Sequence, residues 1–242
     1  MRRVVVTGLG TVTALGSSPE ELWGRICNGE SGVGPITLFD PSLFRTKFGG
    51  EVPNWSPDDV LDSKEAKRMD RFAQFAVVAA LRAVTMSGID FSKEDPFRCG
   101  VILGTGIGGL KEIEVNHVKL LEKGPDKVSP FTIPKLIAHA GSGQVSILWG
   151  LRGPNTTVVT ACASGTNAIA DAMRWIQVGG ADGMITGGAE AALTPMTLAA
   201  FNRMKVLLER NEAPTVASRP FDLNRDGFVL SEGSGLLVLE EL

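Results

Sequence analysis

One segment, residues 153–169, limits what this chain can fold into more than any other. It contains a β-branched run, residues 156–160, whose composition predicts a strand. Cys162 follows almost at once, and then come small residues and apolar residues spaced three and four apart, which predict a helix. The segment is therefore a strand, a sharp turn and a helix, with a cysteine on the turn. Units of this kind are typical of α/β folds.

The position of Cys162 also suggests chemistry. The N-terminal end of a helix carries unpaired N–H groups and the positive end of the helix dipole, so it favours negative charge. A thiolate is the nucleophilic form of cysteine, and the N–H groups of such a turn can hold an oxyanion. The alternative is a buried structural cysteine, which is the usual role of a free cysteine. The local pattern leaves both interpretations open.

The rest of the chain alternates strand-like and helix-like segments, as an α/β fold requires. The expected strands cover residues 3–7, 98–103, 156–160, 181–186 and 236–239. The expected helices cover residues 18–27, 63–87, 108–122 and the segment after Cys162. Residues 32–62 contain four prolines and are predicted to form a long irregular surface excursion. Because no linker or low-complexity segment is found, residues 1–242 are predicted to form one domain.

Composition excludes several classes of protein. With 43% hydrophobic and 21% charged residues, the chain can bury a large globular core. A net charge of −3 without a basic stretch argues against nucleic-acid binding, and no apolar run is long enough to span a membrane. The three cysteines are widely spaced, so they predict neither a disulfide framework nor a metal site. A reducing cytoplasm is the simplest expected location.

The residues around Cys162 resemble the active-site signature of the β-ketoacyl-acyl-carrier-protein synthases, the condensing enzymes of fatty acid and polyketide synthesis. Residues 160–165 read TACASG and follow a Gly-Pro pair. Further motifs occur in the family's order: VVVTGLG at 4–10, GTGIGG at 104–109, SPF at 129–131, GGAE at 187–190, SRPFD at 218–222, RDGFV at 225–229 and EG at 232–233. The resemblance is closest to the discrete type II elongating enzymes. It implies the N-terminal half of the thiolase-like fold, a five-stranded mixed sheet covered by helices.

The resemblance also implies a reaction. Cys162 would take an acyl group from acyl carrier protein, with its own N–H in the oxyanion hole, and a malonyl-acyl carrier protein would then condense with that group. No cofactor is implied. The family's two catalytic histidines and its catalytic lysine lie in its second half, so we expect residues 1–242 to be a piece of a longer enzyme. The family is homodimeric, which implies pairing through residues 156–160.

Two residues would border the acyl pocket by resemblance, namely Ile107 and Phe201. Taken alone, residues 104–109 also satisfy the glycine spacing of a dinucleotide-binding loop. That fingerprint needs a strand ending in an acidic residue about 20 positions later, and none is found. We therefore interpret the glycines as serving a tight turn and close packing.

A basic cluster suggests where a partner docks. Lys64, Lys67, Arg68 and Arg71 would share one face of the helix predicted over residues 63–87. Such a cluster is either a solvated helix face or a patch that steers an acidic partner. The resemblance favours docking of acyl carrier protein near this helix.

Some alternatives stay open at this point. Either His117 or His139 would be able to pair with Cys162, but structural roles are favoured for both because the family's catalytic histidines lie elsewhere. Asn167 stands where the family usually has histidine, and Thr132 where an aromatic residue is frequent, which leaves the preferred chain length undecided. The other candidate functions are a thiolase-like acyltransferase on coenzyme A thioesters and a non-catalytic partner subunit of a condensing enzyme.

Overall fold

The computed structural model of the chain describes residues 1–57 and 60–242. The α-helices of this part are α1 (Pro19–Cys27), α2 (Ser63–Lys67), α3 (Arg71–Ser87), α4 (Leu110–Lys123), α5 (Thr132–Leu136), α6 (Ala140–Trp149), α7 (Ser164–Gln177) and α8 (Pro195–Met204). The strands are β1 (Val4–Val12), β2 (Gly34–Pro35), β3 (Phe48–Gly49), β4 (Cys99–Gly104), β5 (Asn155–Val158), β6 (Gly183–Glu190) and β7 (Gly233–Glu241). Within residues 1–57 and 60–242, none of the helices combines the length and apolar character needed to cross a membrane.

The main sheet has five strands in the order β1-β7-β6-β4-β5. Strand β4 pairs in parallel with both β5 and β6, whereas β7 pairs antiparallel with β6 and β1. The prediction of an α/β fold with a five-stranded mixed sheet is therefore confirmed. Because β4, β5 and β6 run in the same direction, their C-terminal ends meet at one edge of the sheet, where α/β folds usually place their sites.

Helices cover both faces of this sheet. Val101 and Leu103 of β4 lie in the core formed with α3 and α6, while Ile102 lies in the core formed with α7. All six residues of β4 are buried, because a strand covered on both faces has no side exposed to solvent. Strand β4 is thus packed on both faces, with α7 on one of them.

Strand β1 is longer than its glycines suggested. It was predicted over residues 3–7 but extends to Val12, with a register irregularity between Val6 and Gly8. The glycines fit here because α3 lies directly on this strand: a Cβ at Gly10 would be 1.9 Å from the carbonyl oxygen of Ala79. The glycines that seemed to end the strand are therefore the residues that let a helix pack on it.

The single helix predicted over residues 63–87 is wrong. Helix α2 ends after Lys67, and Asp70 begins α3 by accepting a hydrogen bond from the N–H of Phe72 at 3.2 Å. An aspartate inside a helical pattern competes for backbone N–H groups and often becomes a cap instead. The predicted end of the helix is confirmed, because Gly88 caps α3 with φ +71°.

The segment predicted as a surface excursion is only partly at the surface. Its described residues are irregular apart from β2 and β3, as expected. However, Ile36 packs with Leu193 and Leu198, while Phe48 packs with Leu208. Both side chains are buried, so the segment covers the region around α8 instead of standing away from the body of the protein.

Candidate active site

Cys162 lies on the turn between β5 and α7, as predicted, and its side chain is exposed. Ala161 immediately before it has φ +52°, a left-handed conformation that non-glycine residues rarely adopt. This conformation costs about 1 kcal/mol or more, and such strain persists where surrounding structure enforces it. The chain therefore bends sharply at Ala161 and presents Cys162 just before the first residue of α7.

A buried serine holds this turn in shape. The hydroxyl of Ser164 donates to the carbonyl oxygen of Ala161 at 2.6 Å and accepts from the N–H of Thr160 at 2.9 Å. The amide of Asn167 reaches back to the hydroxyl of Thr160 at 2.8 Å. These bonds close the turn on both sides of Cys162, so the position of the thiol is set by its neighbours and not by its own packing.

A glycine contact brings α7 onto the sheet. A Cβ at Gly104, the last residue of β4, would lie 2.2 Å from the carbonyl carbon of Ser164. Real Cβ atoms do not approach backbone this closely, so only glycine permits this distance. The contact places the turn that carries Cys162 directly beside the C-terminal end of β4.

A cleft of about 810 Å³ opens next to this turn and brings the predicted site residues together. Cys162, Ile107 and Phe201 all line it, although they belong to a turn, a loop and a helix far apart in sequence. Its other walls are largely apolar and include Leu22, Met204, Val206, Phe228 and Leu230. An apolar cleft with an exposed thiol at its wall can hold an alkyl chain with a carbonyl carbon near the sulfur.

The loop between β4 and α4, residues 105–109, forms one side of this cleft and is called the cleft loop below. Oε2 of Glu190, at the end of β6, accepts from the N–H groups of Gly106 at 2.7 Å and Ile107 at 3.0 Å. These N–H groups are therefore not available to a phosphate, which supports the packing role of the glycines over dinucleotide binding. Burial raises the pKa of Glu190, while the two N–H groups oppose the rise.

Neither histidine lines this cleft. His139 precedes α6 and its Nε2 lies 3.1 Å from Oδ1 of Asn155. His117 is on the exposed face of α4. Both placements agree with the structural roles that were favoured, and within the described residues Cys162 has no histidine beside it in the cleft.

The basic cluster divides into two parts, which corrects the prediction of one helix face. Lys64 and Lys67 are exposed on α2, and Arg68, which caps this helix, is also exposed and pairs with Glu65 at 3.3 Å. Arg71 instead begins α3 and turns inward to Glu232. Only the three residues of the first part are therefore on the surface; their role in docking stays a prediction.

The other two cysteines differ sharply in environment. Cys27 is exposed at the end of α1, outside the cleft. Cys99 is buried in β4, and burial raises the pKa of its thiol to about 11. Cys162 is therefore the one cysteine that is both exposed and inside the cleft.

Sequence reasoning missed two residues that shape the site, Ser164 and Glu190. Ser164 was read only as a small neighbour, although a serine two residues after a cysteine on a turn is a ready cap for that turn. Glu190 belongs to the GGAE motif, but the motif does not show that its carboxylate binds the N–H groups of Gly106 and Ile107. The available signal was an acidic residue shortly after the apolar strand predicted over residues 181–186.

The chain is similar in sequence to known proteins over its whole length. Residues 1–242 match the family model described as the β-ketoacyl synthase N-terminal domain. A relative from a Synechocystis species, named 3-oxoacyl-acyl-carrier-protein synthase 2, is 50% identical over 241 residues, which are 100% of this chain and 58% of the relative.

Solved structures are similar in shape over the whole chain. A β-ketoacyl synthase from Burkholderia phymatum STM815 is 32% identical with a TM-score of 0.89, over 100% of this chain and 60% of that one. A ketosynthase solved with its type II polyketide acyl carrier protein and bound to the hexaketide is also similar. It is 31% identical with a TM-score of 0.87, over 99% of this chain and 58% of that one.

The agreement extends from the motifs to the fold. The chain spans somewhat more than half the length of the curated relatives it matches, 58% for the Synechocystis protein. Its shape agrees with that of a solved β-ketoacyl synthase over 60% of that chain, so the thiolase-like assignment is confirmed along with the mixed sheet. The match to the family model is unbroken from the first residue to the last. The chain therefore belongs to the β-ketoacyl synthase family, whose N-terminal domain it matches over residues 1–242.

Proposed function

We propose that residues 1–242 form one domain, the nucleophile-bearing half of a β-ketoacyl-acyl-carrier-protein synthase that elongates fatty acyl chains. The observation that carries the proposal is the exposed thiol of Cys162 on a strained turn beside an apolar cleft of about 810 Å³. Relatives named 3-oxoacyl-acyl-carrier-protein synthase 2 support the choice of reaction.

In the first step, the thiolate of Cys162 attacks the carbonyl carbon of an acyl thioester on acyl carrier protein. The tetrahedral oxyanion collapses, the carrier leaves as a thiolate that takes up the proton released when Cys162 ionised, and the acyl group is now a thioester of Cys162. The N–H group of Cys162 itself and the dipole of α7 stabilise the developing negative charge. The cleft walls, with Ile107 and Phe201, surround the alkyl chain.

In the second step, malonyl-acyl carrier protein loses carbon dioxide and its carbanion attacks the acyl carbonyl on Cys162. The thiolate is released, and the new β-ketoacyl group stays on the carrier with two more carbons. Decarboxylation requires groups that stabilise an enolate. By family resemblance these are histidines outside residues 1–242, so the 242-residue chain alone is expected to be acylated but not to condense.

Acyl carrier protein is the proposed partner in both steps. Lys64, Lys67 and Arg68 stand exposed at α2, and a patch of this sign attracts and orients an acidic carrier. A homodimer through β5 is part of the proposal, because β5 is an edge strand whose outer backbone groups are available for pairing. Three free thiols fit a reducing cytoplasm.

The test is transfer of an acyl group from acyl-acyl carrier protein to the chain, followed by intact mass and peptide mapping. We expect one acyl group on Cys162 and none after Cys162→Ala. Cys27→Ala is the matched control, because that thiol is exposed but outside the cleft, and it should leave transfer unchanged. Acylation elsewhere, or none, would contradict the proposal.

The donor separates the alternative functions. Faster transfer from coenzyme A thioesters than from carrier thioesters would favour a thiolase-like acyltransferase. Carrier binding without any acyl-Cys162 would favour a non-catalytic partner subunit.

Light scattering of the chain tests the proposed dimer. A chain that stays monomeric at high concentration would contradict a dimer held by β5 alone.

A further inference from the structure

Every N–H group of the cleft loop has an identified acceptor. Thr105 donates to the carbonyl oxygen of Val158 at 3.2 Å, and Gly109 donates to that of Leu136 at 3.0 Å. Gly108 donates to the hydroxyl of Thr105 within the loop at 3.2 Å. The remaining two N–H groups, in the middle of the loop, both donate to Oε2 of Glu190.

The position of the middle of the loop depends on Glu190, because the side chains of the loop do little to hold it. Ile107 is 44% exposed although it lines the cleft, so packing contributes little to its position. Gly106 has no side chain, and a Cβ there would lie 3.1 Å from Oε2 of Glu190. Glycine at this position thus lets the carboxylate approach the backbone.

Glu190 is well placed to act as an anchor. It is the last residue of β6, where it pairs with Gly233 of β7, so its backbone belongs to the centre of the sheet. It also lines the same cleft as Cys162. A carboxylate that accepts two N–H bonds holds them more strongly than a neutral acceptor does.

We propose that Glu190 is a positioning residue for chain-length selection: by fixing the cleft loop it holds Ile107 in the cleft wall, and the fixed wall limits how long an alkyl chain can enter beside Cys162. The inference rests on the proposed function for its biological meaning, since the chain in question is the acyl group. It goes beyond that function because it names the group that holds this part of the cleft wall in place.

The test uses alkyl maleimides, which react with a thiol without any enzymatic step. In a Cys27→Ser background, the rates at which N-ethylmaleimide and N-octylmaleimide modify Cys162 are measured by mass. Glu190→Ala removes the acceptor of two N–H groups and should raise the octyl-to-ethyl rate ratio at least about tenfold, the factor expected for losing even one hydrogen bond to a charged group. Glu190→Gln keeps an oxygen acceptor and should raise the ratio less.

Glu51 provides a matched control. Its Oε1 also accepts from two consecutive N–H groups, those of Thr37 at 2.8 Å and Leu38 at 3.0 Å, but it does not line the cleft. Glu51→Ala removes the same kind of bond elsewhere and should leave the rate ratio unchanged. A merely structural loss of a carboxylate would change both variants alike.

Hydrogen exchange supplies a second readout. The amides of Gly106 and Ile107 should exchange about tenfold faster in Glu190→Ala than in the wild type. An unchanged rate ratio, or unchanged exchange at these two amides, overturns the inference; if Glu190→Ala does not fold, Glu190→Gln decides alone. If the wild type accepts no acyl group from any thioester, the proposed function fails, while the maleimide ratio still decides the role of Glu190.

Discussion

Removing one partner of the buried ion pair between Arg71 and Glu232 should cost this fold several kcal/mol of stability. Nε and Nη2 of Arg71 donate to the two carboxylate oxygens of Glu232 at 2.8 Å and 2.5 Å. The side chains are only 14% and 1% exposed. Glu232 also accepts from the N–H of Val52 at 2.9 Å, so the pair joins α3, the start of β7 and the segment after β3.

Glu232→Gln keeps the shape of this side chain but removes its charge. Arg71 would then be left as a buried cation without a counterion, which typically costs about 3–5 kcal/mol. Because domains are usually stable by only about 5–15 kcal/mol, the variant should lose a large fraction of its stability. Arg71→Met combined with Glu232→Met should recover much of that loss, because both desolvated charges are then gone.

The assay is urea unfolding followed by the fluorescence of the four tryptophans. The matched control is Asp171→Asn, which breaks the exposed pair with Arg174 at 3.4 Å and should cost no more than about 1 kcal/mol. If Glu232→Gln loses no more stability than Asp171→Asn, the reasoning about the buried pair is wrong. Should the double variant be less stable than Glu232→Gln alone, the desolvation argument would be refuted as well.

Three further changes test other parts of the structure. Gly104→Ala should lower the free energy of unfolding by about 1–3 kcal/mol and slow alkylation of Cys162, because the added Cβ would meet the backbone of Ser164. In contrast, Gly24→Ala should stabilise α1 by about 0.5–1 kcal/mol, because the space around Gly24 is open. Burial raises the pKa of Cys99 from 9.0 to about 11, so only the unfolded chain loses this proton between these pH values. The free energy of unfolding should therefore fall by roughly 2 kcal/mol as pH rises from 9 to 11, and a titration of Cys99→Ala that showed the same fall would contradict this assignment. Ser18→Ala removes the cap bond to the N–H of Glu21 at 3.1 Å and should cost about 1 kcal/mol in urea unfolding; no change would mean that the cap contributes nothing.

Local patterns predicted the elements whose physics is local. The helix start at Ser18, the helix end before Gly88 and the turn at Cys162 depend on a few neighbouring residues, and all three are confirmed. The errors arose where local signals competed. Residues 63–87 were predicted to form one helix, but the side chain of Asp70 caps α3 and divides the segment into two helices.

Long-range packing decided what the glycines do. Gly8 and Gly10 read as the end of a strand, yet β1 continues through them because α3 packs on their bare backbone. Such a contact depends on residues about 70 positions away, and no periodicity in the sequence near β1 reports it. The same is true of Gly104, whose lack of a side chain brings α7 to the sheet.

The sequence by itself determined the fold class, the family and the identity of the candidate nucleophile. The reason is that the strand-turn-helix pattern and the motif around Cys162 consist of consecutive residues. Only the tertiary structure decided that Cys162, Ile107 and Phe201 share one cleft, that Arg71 faces Glu232 and not solvent, and that Glu190 holds the cleft loop. The physical reason is that each of these contacts joins segments brought together by the sheet. Burial and hydrogen bonding between distant residues depend on strand order and packing, which short-range sequence patterns do not encode.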